Sequence, residues 1–223
     1  NCNLYLKRED LQLCRSFKIR GALNKISNLD PSKKKEGIVC ASAGNHAQGV
    51  ALSSNKFQIP ADIFVPSTTP LQKINRIRSQ SDPKICNLHI TGNSFNDCLA
   101  ESLQFTEKYE KTFIHPYNDY DVILGQSTIA HEIYQDIDPD IIISAIGGGG
   151  LISGLSLYTN HFNPCEHIGV EPKSCPSMHE SIRNGALLTV TPKDNFVDGA
   201  TVSQVGDLTF ALCQNNIKNY YDI

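Results

Sequence analysis

The chain has 223 residues, 40% of them hydrophobic and 19% charged, with a formal net charge of −3 at neutral pH. That composition suits a soluble globule of one large or two small domains, and its slightly acidic balance gives no footing for nucleic acid or anionic membrane. Neither a signal peptide nor an apolar run of membrane length is present in the sequence. Eight cysteines fall at 2, 14, 40, 86, 98, 165, 175 and 213. No two are spaced for a zinc or redox motif, and Cys40 sits in an apolar run where a thiol behaves as a small hydrophobe. Free thiols of that kind suit a reducing compartment.

In chain order, Leu4-Tyr5-Leu6 reads as a strand that the chain enters without a methionine. A helix follows, opened by Ser16-Phe17-Lys18-Ile19-Arg20-Gly21-Ala22, with Ser16 able to cap it through its hydroxyl. A polar turn spans Asn28 to Gly37, and its run Lys33-Lys34-Lys35 reads as solvated. Thereafter strands alternate with helices. Strands are predicted at 37–41, 61–66, 84–91, 112–114, 140–146 and 167–170, and helices at 45–55, 70–80, 94–109, 122–137 and 151–160. The last residues, Tyr220 to Ile223, read as the start of a further strand, so the chain is expected to be a piece of a longer protein. Continuous apolar strands alternating with helices predict parallel sheets covered on both faces. The turn at Pro116 to Asp119 is the candidate domain crossing.

Ligands of open parallel sheets bind beyond the carboxyl ends of the strands, which singles out the junctions at 40–46, 66–70 and 146–151. At the third, Gly147-Gly148-Gly149-Gly150-Leu151 follows a strand and opens a helix. Its amides can converge on a phosphate at a helix N-terminus. No Gly-Lys-Ser/Thr follows, which excludes a nucleoside-triphosphate loop. A dinucleotide site is the rival reading: Gly148, Gly150 and Ser153 approximate that fingerprint, with Glu171 where a ribose-binding acid belongs. It leaves two features unused. The first is Lys18, a lysine set between Phe17 and Ile19, where burial depresses the amine pKa and permits Schiff-base chemistry. The second is the first junction, Ala41-Ser42-Ala43-Gly44-Asn45-His46-Ala47-Gln48-Gly49, whose small residues expose a row of amides suited to a carboxylate. Read alone, each has a plainer interpretation: a surface lysine on an amphipathic helix, and a helix cap beside a surface histidine.

A Schiff-base lysine, a carboxylate nest and a phosphate cradle together are what pyridoxal phosphate requires. With these motifs the chain resembles the serine/threonine dehydratase family of fold-type II pyridoxal-phosphate enzymes, and within it the biosynthetic threonine-dehydratase branch. The stretches that carry the resemblance are Leu6 to Gln12, Ser16 to Ala22, Ala41 to Ala51, Gly125-Gln126, Gly147 to Leu151, Val170 to Pro172 and Phe196 to Val202, in the family's order along nearly the whole chain.

The resemblance implies an α/β fold like that of the tryptophan synthase β chain, with two three-layer αβα domains and mostly parallel sheets. The larger would comprise 1–39 and 118–223 and the smaller 40–117. It implies that Lys18 bonds the cofactor covalently and acts as catalytic base. Phe17 would pack near the cofactor ring, Asn45 would bond its hydroxyl, and Gly147, Gly148, Gly149, Gly150 and Leu151 would hold its phosphate. Ser42, Ala43, Gly44, Asn45 and His46 would receive the carboxylate of an amino-acid substrate. Glu171, Asp198 and Gly199 match family positions without a definite role.

The implied reaction is β-elimination of L-threonine to 2-oxobutanoate and ammonia, with some activity on L-serine, since one methyl discriminates by only about 1–3 kcal/mol. Racemases of this branch carry a serine at the position of Ala43. Alanine cannot exchange a proton, which disfavours racemisation. The family's metal site pairs the glutamate with an acid six residues on; Ser177 stands there, so no metal is expected. The pyridine-nitrogen partner and a regulatory domain would lie beyond this chain. A homo-oligomer is expected at full length, in the cytoplasm or in an organelle stroma or matrix.

Overall fold

The computed structural model describes residues 2–223. It divides into two compact units, one running to Ile114 and the other from His115 to Ile223. The boundary falls just ahead of the Pro116–Asp119 turn.

The first unit holds α1 (Lys18–Ser27), α2 (Pro31–Glu36), β1 (Ile38–Ala41), α3 (Asn45–Phe57), β2 (Ala61–Val65), α4 (Leu71–Gln80), β3 (Cys86–Ile90), α5 (Phe95–Lys108) and β4 (Thr112–Phe113). Its four strands form one parallel sheet in the order β3-β2-β1-β4. Every residue of β1 and β2 is buried, because helices cover both faces. On one side Cys40, Ile63 and Val65 pack with Ala22 and Ile26 of α1, Val50 of α3 and Ile74 of α4. On the other, Val39, Ala41 and Phe64 pack with Cys98, Leu99 and Phe105 of α5. Each fully buried valine or isoleucine among them contributes about 1.5–3 kcal/mol. Polar chemistry sets the start of α5: Ser94 Oγ accepts the Asp97 amide and Asp97 returns the bond to the Ser94 amide, a reciprocal capping box.

The second unit holds α6 (Tyr120–Asp136), β5 (Ile141–Ala145), α7 (Gly150–Phe162), β6 (Glu166–Glu171), α8 (Ser177–Asn184), α9 (Asp207–Asn216) and β7 (Asn219–Asp222). Its strands form a second parallel sheet, β5-β6-β7. The apolar run in β5 predicts cover on both faces, but burial alternates: Ile142 is buried while Ile141 and Ile143 are 46% and 62% exposed. Tyr221 of β7 is exposed as well. The opposite face carries the core of Ile146, Ile152, Met178, Val205, Cys213 and Ile217.

Two further sequence expectations are corrected. Leu4-Tyr5-Leu6 is not a strand; all three residues are exposed and no strand among the described residues pairs with them. The polar turn around Lys33–Lys35 is the short helix α2, started by Pro31 after Asp30, an arrangement suited to a first helical turn. Lys33 pairs with Glu36 there and Lys34 donates to the Ser27 carbonyl. The segment after β6, for which the sequence reading names no element, contains α8 and α9.

Candidate active site

In the first unit, the 3-10 turn Glu9–Leu11 and the loop after it deliver Lys18 to the first position of α1. Two contacts brace that loop. Glu9 and Arg20 form a two-pronged ion pair at 2.7 and 2.8 Å, both side chains largely shielded from solvent. Cys14 is fully buried, its thiol 3.2 Å from the Ser16 carbonyl. Arg15 between them adopts a left-handed φ of 53°, which a non-glycine residue holds only when its surroundings enforce it. Ser16 Oγ then accepts the Lys18 amide at 3.2 Å, an orphan donor of the first turn, although the N-cap residue is Phe17 and not Ser16. Lys18 Nζ lies 5.4 Å from the centre of the Phe17 ring. Enclosure strips water from the ammonium and brings its pKa down from 10.5 to about 8.

The nest residues stand at the start of α3. Ser42 extends the β1–β2 ladder by donating its amide to the Phe64 carbonyl, and its hydroxyl accepts the Gly44 amide. Asn45 is the first helical residue and is exposed, its carbonyl oxygen 3.4 Å from Gln48 Nε2. The first amides of a helix have no intrahelical acceptor, so those of Asn45 and His46 can serve an anion. The His46 ring is not on the surface: it is buried, with Nε2 2.8 Å from the Ile114 carbonyl. Lys18 and this nest are held to one another by Gly49. A Cβ at Gly49 would lie 3.2 Å from the Ile19 backbone and from the Lys18 carbonyl, so α3 and α1 touch backbone to backbone there. Asn45 lies one helical turn before that contact and Lys18 at its edge.

The second unit builds the glycine cradle. β5 leads through buried Ile146 into Gly147, and α7 begins at Gly150 after Gly149, whose φ is +90°. Side chains close the back of the loop. A Cβ at Gly148 would be 2.3 Å from the Tyr117 ring, and one at Gly149 2.6 Å from Met178 Cε and 2.9 Å from Thr209 Cβ. Gly147 packs on Ala200 and Gly199, which gives the Phe196–Val202 stretch its place against the cradle. The Gly149 amide belongs to a buried residue and finds no acceptor among the described residues. Leaving it so costs free energy unless water or an anion meets it. Leu151, on the first turn of α7, is partly exposed. Such a cradle fits a phosphate, and the desolvated Lys18 amine fits a carbonyl partner.

Glu171 is engaged otherwise. Its two carboxylate oxygens accept the Met178 and His179 amides at 2.9 and 2.7 Å, capping α8, while burial pushes its pKa up to about 7. Ser177 donates to the Val202 carbonyl. Among the described residues no three His, Cys, Asp or Glu side chains are grouped to hold a metal ion, and no helix is long and apolar enough to cross a membrane.

Sequence reasoning missed the parts that hold the site rather than touch it. A glycine inside the helical pattern at 49 is a local sign of close approach, and Glu9 and Arg20 are charges beside the lysine stretch. Tyr117, Met178 and Thr209 carry no local signal, being brought to the glycines only by the fold.

The chain is similar to known proteins in sequence and in fold. Residues 1–223 match the family described as pyridoxal-phosphate dependent enzyme. The chain is 46% identical, over its whole length and 54% of the relative's, to the L-threonine dehydratase biosynthetic IlvA of Staphylococcus aureus strain bovine RF122 / ET3-1. Among solved structures, the processed form of threonine deaminase isoform 2 from Solanum lycopersicum aligns with a TM-score of 0.93 at 38% identity, over 98% of this chain and 63% of that one. Maize serine racemase aligns with a TM-score of 0.88 at 32% identity, over 96% and 64%. The chain thus spans about half the length of the curated relatives it matches. Its fold is fold-type II, α/β with parallel sheets. The chain belongs to the family of pyridoxal-phosphate dependent enzymes.

Proposed function

We propose that the protein is a threonine ammonia-lyase, converting L-threonine to 2-oxobutanoate and ammonia, with lesser activity on L-serine. The observation that carries this reading is the desolvated Lys18 beside the amide-rich start of α3, in a chain 46% identical throughout to a biosynthetic threonine dehydratase. Isoleucine biosynthesis is the corresponding route.

Each residue's part follows from its chemistry. Lys18 bonds the cofactor, with Phe17 packed near its ring and Asn45 bonding its hydroxyl. Gly147, Gly148, Gly149, Gly150 and Leu151 hold its phosphate through their amides. Pyridoxal phosphate, when bound, supplies an electron sink for the charge left at the substrate α-carbon. Ser42 to His46 hold the substrate carboxylate through the amides opening α3, which fixes the direction of the α-proton. Freed when the substrate's own amine takes its place, the Lys18 amine, with a pKa of about 8, keeps a useful neutral fraction near neutral pH and can accept that proton at Nζ. Loss of the β-hydroxyl as water, then hydrolysis of the carbon–nitrogen bond, completes the balance. Ala43 offers no group to return a proton from the other face, which favours elimination over racemisation.

On this reading 1–39 and 118–223 form the larger domain and 40–117 the smaller. The enzyme works as a homo-oligomer in the cytoplasm or an organelle stroma or matrix; the free thiols of its cysteines support that compartment. The test is to supply the full-length protein with pyridoxal phosphate and L-threonine, and to measure 2-oxobutanoate and ammonia in equal amounts. Lys18→Ala is expected to abolish both. Turnover of serine to its D-isomer with no oxoacid from threonine would overturn the proposal.

A further inference from the structure

We infer that Thr209 is a positioning residue for the phosphate cradle, acting through the orientation of a single peptide group; this rests on the reading that Gly147 to Leu151 hold the cofactor phosphate. The Thr209 side chain is fully buried at the third position of α9. Its hydroxyl donates to the Gly148 carbonyl at 2.7 Å and accepts the Gly206 amide at 3.1 Å. A second acceptor, the Gly206 carbonyl, is at 3.1 Å, so the shorter bond to Gly148 takes the single hydroxyl hydrogen.

In a trans peptide the carbonyl of one residue and the amide hydrogen of the next point in opposite directions. Drawing the Gly148 carbonyl back onto Thr209 therefore turns the Gly149 amide the other way, out of the back wall. That amide has no acceptor among the described residues. The peptide lies between two glycines, neither of which has a Cβ to resist rotation, and Gly149 already sits at φ +90°. Flipping it would cost little without the hydroxyl, and would present a carbonyl oxygen, instead of an amide, to an incoming phosphate. The wall atoms around Gly149, Met178 Cε and Thr209 Cβ, limit where the chain can move but do not select which way the peptide faces. The hydroxyl makes that selection.

Three variants of the full-length protein separate the parts of this side chain. Thr209→Val keeps its shape and removes the hydroxyl; Thr209→Ser keeps the hydroxyl and removes the methyl; Thr209→Cys leaves a weak donor. Dissociation constants are measured for pyridoxal phosphate and for pyridoxal, which lacks the phosphate, with phosphorus NMR on the bound cofactor. The expected result is that Thr209→Val weakens pyridoxal phosphate binding about tenfold and moves the phosphorus resonance. Pyridoxal binding stays unchanged, Thr209→Ser matches the parent, and Thr209→Cys falls between. If the valine variant does not fold, the order of Ser above Cys decides. Binding of pyridoxal phosphate within about twofold of the parent in every folded variant would overturn the inference, as would equal weakening toward pyridoxal. A parent protein that binds no pyridoxal phosphate would instead refute the cofactor reading, and one that binds it without dehydrating threonine would refute only the proposed reaction.

Discussion

Replacing Lys18 with methionine should make the cofactor-free protein more stable at neutral pH, and the gain should vanish in alkali. Methionine keeps an unbranched stem of similar length and removes the amine. In the unfolded chain the lysine stays protonated up to about its ordinary value of 10.5, whereas in the folded chain it releases its proton near 8. Below pH 8 the fold therefore carries a charged amine it solvates poorly. Between 8 and 10.5 the unfolded state binds more protons, so the stability of the parent protein rises with pH across that window. The separation corresponds to about 3 kcal/mol, an upper figure because the partly enclosed side chain retains some hydration. The chain has no tryptophan, so urea unfolding is best followed by circular dichroism, with parent and variant compared from pH 6.5 to 10.5. A variant no more stable than the parent at pH 7, or an advantage that does not shrink above pH 8, would refute the desolvated lysine. The other thiols and phenols cancel in the comparison, since both proteins carry them.

Other substitutions probe the supports. Gly149→Ala forces a Cβ to within 2.6 Å of Met178 Cε at φ +90°; it should cost about 1–3 kcal/mol in thermal unfolding and lower affinity for pyridoxal phosphate. Arg20→Met leaves Glu9 charged and shielded without its partner, and should destabilise by about 3 kcal/mol while slowing borohydride capture of the cofactor on Lys18. Glu171 has a pKa raised from 4.5 to about 7 by burial, so its favourable contribution is complete at low pH and is lost as pH rises through about 7. Glu171→Gln should remove that slope from the melting temperature between pH 4.5 and 7; an unchanged slope assigns it to another group.

The pattern of strand and helix was legible because the first sheet is parallel and buried on both sides, which writes itself as runs such as Ile38 to Ala41 rather than as alternation. The three motifs were legible for a related reason: glycines and small residues at strand ends announce a backbone that must approach a ligand. Leu4-Tyr5-Leu6 misled because local propensity names a strand only where a partner strand exists. β5 misled in the other direction, since Ile141 and Ile143 are as apolar as Ile142 yet face outward. α8 and α9 are short, and α8 depends on a cap 7 residues earlier, at Glu171, which no local window contains. Thr209 lies 61 residues from the carbonyl it holds, and nothing in its own neighbourhood points back to the glycines.

The contact at Gly49 bears on how this protein can change. One backbone crossing sets the spacing between the lysine and the mouth of the proposed carboxylate nest, so a side chain at 49 would displace both helices that carry them, with no single neighbour able to compensate. Substitutions meant to reshape the proposed carboxylate nest are therefore better placed at Ser42 to Gly44, where the chain is partly exposed. Position 49 should stay glycine, as the fixed point against which such variation is measured.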